Sequence, residues 1–77
     1  MGIWTAQRIG EEVMDRAIAL AAAEGETLRP ETIPIIDCPT NEAGVNWTPS
    51  GHVSRANEPW IMEAARQLAA QGVLLRN

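Results

Sequence analysis

The chain contains no phenylalanine, tyrosine or lysine, and only one cysteine and one histidine in 77 residues. Without Phe or Tyr, bulky core material is limited to Ile, Leu, Val, Met and three Trp. The single cysteine, Cys38, excludes an intramolecular disulfide and fits a reducing compartment. One Cys and one His cannot close a structural zinc site, which takes four ligands, usually in two close pairs. No metal and no other cofactor is therefore expected. The N-terminus lacks the basic, apolar, small-residue order of a secretory signal. The longest apolar run falls far below the roughly 20 residues of a membrane span. The expectation is a cytoplasmic protein without a membrane role, from a bacterial cell or a virus that infects one.

Proline is missing from both ends and crowded into the middle. Pro30, Pro34, Pro39, Pro49 and Pro59 all fall inside one thirty-residue window. Proline lacks an amide donor and disfavours helix in the residue before it, so this window cannot be one continuous helix. The chain reads as helix, irregular proline-pinned middle, helix, within a single domain spanning 1–77. At this size only about 60% of the unfolded chain's surface is buried on folding, so the fold needs a well-filled core or a partner. A hydrophobic fraction of 45% is that of a folded chain rather than a disordered one.

The formal net charge of −4 opposes a non-specific nucleic-acid coat, which needs a basic face. All six basic residues are arginine. The plain reading is a GC-rich coding sequence. The functional reading is that arginine suits bidentate contacts to carboxylates at interfaces.

The first arm, about residues 5–24, is an amphipathic helix. At 100° per residue Ile9, Val13, Met14, Ala17, Ile18, Leu20 and Ala21 fall on one half of the wheel, and Arg8, Glu11, Glu12, Asp15 and Arg16 on the other. Thr5 is the expected N-cap, Glu12 and Arg16 an i,i+4 pair, and Gly25 the stop. So wide an apolar face implies more than one neighbour. The second arm, about 58–71, starts with Pro59 in its first turn, where a missing donor costs nothing. Ile61, Ala64, Ala65 and Leu68 form its stripe, and Gly72 ends it. Val73-Leu74-Leu75 then reads as a short strand or as the apolar return after a helix cap, leaving 72–77 as strand or tail.

Between the arms, Ile33-Pro34-Ile35-Ile36 is the strand-like run, and Pro34 confines it to an edge. Pairing of 33–36 with 73–75 would clamp the loop between the helix ends. Residues 37–52 are turn formers with isolated apolar anchors, expected to be ordered but irregular. The fold class is thus mainly α, two amphipathic helices joined by a long Pro-rich segment, with at most a minor β pairing.

Catalysis is not expected. Cys38 and His52 invite a nucleophile reading, but no spacing brings imidazole and thiol together, and a small scaffold leaves little room for a water-excluding pocket. The turn Thr48-Pro49-Ser50-Gly51 is no phosphate loop. The candidate contacts are those of a partner interface. Trp47 sits among turn residues, either as an exposed anchor or as a plug onto the helices. Arg55 and Trp4 add hot-spot residue types, and Ile9, Met14 and Ile18 stand for the broad apolar face.

The helix ending in Gln71-Gly72-Val73-Leu74-Leu75-Arg76 resembles, over about a dozen residues, the junction of recognition helix and wing in winged-helix DNA binders. The resemblance stops where the wing should turn back. It implies an alternative, a small DNA-binding regulator built on the second helix. The favoured expectation is a non-catalytic interaction module that binds a larger protein or forms a homo-oligomer. Bacteriophage or prophage accessory proteins, virion components or inhibitors of host machinery, are the class in view.

Overall fold

The computed structural model describes residues 2–76, and six short elements follow one another along the chain. They are β1 (Gly2–Trp4), α1 (Ala6–Ala23), β2 (Ile35–Asp37), β3 (Trp47–Pro49), α2 (Glu58–Ala70) and β4 (Val73–Leu75). Helix accounts for about 41% and strand for 16%, so the fold is a small mixed α/β one. Two helices form as the periodicity predicts. The strands divide into two separate two-stranded sheets.

Local chemistry sets the helix ends. Thr5 Oγ1 accepts the Arg8 backbone N–H at 3.2 Å, one of the donors that a helix start leaves orphaned. At the other end of α1, Gly25 N–H donates to Ala22 O at 3.0 Å and Glu26 N–H to Ala21 O at 2.8 Å. This is the Schellman arrangement, and Gly25 supplies its left-handed residue with φ 77°. Gly72, φ 78°, is the left-handed residue after α2, and its N–H donates to Ala69 O at 2.9 Å. Pro59 lies in the first turn of α2. Asn57, at the N-cap position, turns its side chain elsewhere: Nδ2 donates to Arg29 O at 2.9 Å and to Glu31 at 2.7 Å. That buried amide ties the extended segment 29–31 to the entrance of α2.

The expected pairing of 33–36 with 73–75 does not form. β2 instead pairs antiparallel with β3, Ile35 opposite Pro49 and Asp37 opposite Trp47. The loop between them is organised by Asn41, whose Oδ1 accepts from Ala43 and Val45 N–H and whose Nδ2 donates to Trp47 O at 3.1 Å. Much of the segment expected to be irregular is therefore a hairpin. Pairing within it closes a short loop, which is less costly in chain entropy than joining residues forty apart.

β4 takes β1 as its partner, in parallel, with Gly2 opposite Val73 and Trp4 opposite Leu75. Arg76 N–H extends the ladder to Trp4 O at 2.8 Å. Side chains occupy the other edge of β4. Asn46 behaves as a substitute peptide: its Oδ1 accepts Leu75 N–H at 2.8 Å and its Nδ2 donates to Leu75 O at 3.1 Å. Beside it, Trp47 Nε1 donates to Val73 O at 2.9 Å. The edge that 33–36 would have needed is already filled.

One core joins the elements. α1 packs on α2, with Ile9, Val13, Ala17, Ile61, Ala64 and Leu68 fully enclosed and Trp47 only 2% exposed. Arg16 reaches from α1 to the end of α2, where Nη2 donates to Gln71 Oε1 at 3.0 Å. The radius of gyration, 11.7 Å, is close to the ~11.5 Å of a folded chain this long. The breadth of the α1 apolar face is met internally, by α2 and by Leu28 and Ile33 of the extended segment.

A groove between the first helix and an extended strap

Gly10 lies in the middle of α1, where glycine is unfavourable relative to alanine by roughly 1 kcal/mol. Packing explains it. A Cβ at this position would stand 2.6 Å from Ile33 O, so only glycine lets the strap 31–35 lie directly against the helix. The strap is held from both sides. Ile33 is buried beneath it, and Pro34 O accepts Ser50 N–H at 2.8 Å.

Where strap and helix diverge they leave an open cavity of about 440 Å³. Gly10, Met14 and Ile33 form its floor. Three carboxylates, Glu11, Asp15 and Glu31, stand around it, and none of the residues lining it is basic. The Glu31 carboxylate is fixed: both oxygens accept Ser54 N–H at 3.1 Å, and Oε2 takes the Asn57 amide. Glu11 accepts only the neutral Gln7 amide, at 3.2 Å. Asp15 has no hydrogen-bonding or ionic partner among the described residues.

The arginines of α1 are engaged away from this groove. Arg8 lies over the Trp4 ring, 4.1 Å from its centroid, and Arg16 pairs with Glu12 at 3.1 Å. The groove is consequently apolar below, anionic above, and free of an internal counter-charge.

Lesser apolar exposures lie elsewhere, among them Ile36 on β2 at 49%. Met62 is 49% exposed on α2, beside a shallow concavity of about 160 Å³. On the β1–β4 pair, Ile3 is 59% and Leu74 39% exposed, and the two are register partners. Near Met62, Arg66 forms an ion pair with Glu63, whose carboxyl is held below the usual carboxylate range by that guanidinium and by the Gln67 amide.

The contact candidates drawn from the sequence are redistributed. Trp47 is the plug: its indole is enclosed and hydrogen-bonded inside, so it is no exposed anchor. Ile9 is wholly buried, Met14 reaches only the groove floor, and Ile18 is half-buried against the core. These three serve the chain's own interior, which removes the argument that α1 needs a second protein to cover it. Trp4 is half-buried on β1 under Arg8, and Arg55 is exposed in the turn before α2. Neither borders the groove. Cys38 Sγ has Asn41 Nδ2 at 3.9 Å, and His52 is exposed, with its backbone N–H on Ser50 Oγ. Among the described residues no hydrogen bond joins the two, and no three His, Cys, Asp or Glu side chains gather as a metal site would require. Among the described residues no helix is long and apolar enough to cross a membrane.

Apart from Met14, the residues that line the groove are not among the contact candidates the sequence offers. The available signal was Gly10, an isolated glycine in an otherwise helical pattern, which marks close backbone approach. What approaches it lies 23 positions along the chain. No protein-family model, curated protein or solved structure matches this chain.

Proposed function

We propose that this chain is a non-catalytic interaction module that binds a larger protein through the groove between α1 and the 31–35 strap. The observation that supports the reading is the groove itself: an open, preformed concavity of about 440 Å³ with an apolar floor and unneutralised carboxylates. That volume lies in the range of pockets that accommodate a ligand or a few side chains, and its walls are rigid helix and tethered strap. The test is affinity capture from the native host, with the parent chain compared against Gln7→Trp, which puts an indole across the groove mouth at an exposed position. A protein retained by the parent and depleted on the variant supports the reading, provided both chains give the same circular dichroism. Equal retention, or none by either, refutes it.

One feature favours self-association as a second reading. Parallel strands are normally covered on both faces, yet Ile3 and Leu74 lie side by side on an open face of the β1–β4 pair. Sedimentation should then show a dimer that Leu74→Ser dissociates. A monomer at every concentration tested would eliminate this reading.

A further inference from the structure

The charge and dimensions of the groove specify what docks in it, on the reading that it docks a partner at all. We infer that the occupant is an extended segment of the partner protein in which basic residues alternate with aliphatic ones. The groove wall on α1 runs from Ala6 to Asp15, nine residue steps, or about 14 Å at 1.5 Å per residue. An extended chain covers that length in about four residues. Glu11 and Asp15 are one turn apart, about 6 Å along the helix. Residues i and i+2 of an extended chain are separated by nearly the same distance, about 7 Å, and point to the same side. Two basic side chains in alternation therefore meet Glu11 and Asp15 together, while the aliphatic residue between them faces Met14 and Ile33.

Charge complementarity decides the sign. Arg8 and Arg16 are committed to Trp4, Glu12 and Gln71, so nothing in α1 neutralises Glu11 or Asp15 from within. An anionic occupant such as a phosphodiester backbone meets three carboxylates and no cation in the lining. A purely apolar occupant leaves the rim charges with only water as partner. A basic, alternating segment satisfies both floor and rim.

The experiment uses the full chain and three synthetic hexapeptides, capped at both ends. One alternates Arg and Leu, one has the same composition in two blocks, and one alternates Glu and Leu. Amide chemical shifts are followed by titration at low and at 0.5 M salt. The alternating Arg–Leu peptide should bind best, with shifts confined to Gln7–Asp15 and Thr32–Ile35. The double variant Glu11→Gln/Asp15→Asn, altered only at exposed positions, should bind it roughly five- to tenfold more weakly, as should the parent at high salt. Equal binding of the block or acidic peptide, equal binding by the neutralised variant, or shifts mapping outside the groove would each overturn the inference. If Gln7→Trp still abolishes capture of the native partner while the Arg–Leu peptide fails to bind, the module stands and only its occupant is wrong. If neither result is obtained, both are.

Discussion

Replacing Asn46 with aspartate tests whether a single side-chain amide closes the inner edge of β4. The change preserves shape, so it opens no cavity. The Leu75 N–H, now 2.8 Å from Oδ1, keeps an acceptor. The Leu75 carbonyl, now 3.1 Å from Nδ2, loses its donor and faces a carboxylate oxygen. Leaving a half-buried carbonyl unpaired beside an anion should cost about 1–2 kcal/mol, or a drop of roughly 5–15 °C in Tm for a domain this small. The loss should depend on pH, because the protonated acid can again donate to Leu75 O. The introduced carboxyl therefore has a folded-state pKa raised above its unfolded value of about 3.9. Folding then binds a proton in the window between the two values, so the stability of Asn46→Asp relative to the parent is highest below about pH 3.9 and falls as pH rises through the folded value. Urea midpoints of both chains at pH 3.5 and pH 7, followed by far-UV circular dichroism, give the difference directly, with acid effects common to both cancelling. A deficit that is absent at pH 7, or identical at the two pH values, would show that the Asn46–Leu75 contacts do not hold the strand.

Trp47→Ala removes the largest enclosed side chain and strands the Val73 carbonyl, so it should lose roughly 3–5 kcal/mol. That approaches the whole stability of a 77-residue domain, about 4–12 kcal/mol, and thermal melts should find the variant at least partly unfolded at 37 °C. Gly10→Ala should destabilise by about 1 kcal/mol although alanine is the better helix former, because the 2.6 Å approach to a backbone oxygen outweighs the propensity gain; a higher denaturation midpoint would contradict the close-approach account. Glu63→Gln should lower stability slightly at neutral pH and not at all in acid. The depressed Glu63 pKa contributes above the unfolded carboxyl's range and is lost as pH falls through the folded value, and parallel pH-dependent melts of the two chains measure the difference.

The candidate site was only half legible. Helical periodicity places Glu11 and Asp15 on the outward face of the first helix, and the Ile33-Pro34-Ile35 run reads as strand-like. Nothing in either pattern says that they face each other. Gly10 could have suggested an approaching backbone, but a glycine does not name the segment that approaches. Trp47 illustrates the converse difficulty. Polar turn formers flank it on both sides, so exposed anchor and buried plug look identical along the chain. The deciding group is a carbonyl 26 residues away, left free because β1 occupies the opposite edge of β4.

What the residues determined by themselves are the features that short-range physics settles. Periodicity, the Thr5 hydroxyl, Pro59 and the left-handed glycines that follow the helices, Gly25 and Gly72, define where helices run, because capping and backbone sterics act within one turn. Only the assembled tertiary structure decided which strand pairs with which, that the broad face of α1 is covered from within, and that a carboxylate-rimmed groove remains beside it. Those outcomes depend on competition among distant groups for the same hydrogen bonds and the same apolar surface. Asn46 and Trp47 prevail at β4 because a nearby hairpin delivers them there together, which no local pattern of residues can express.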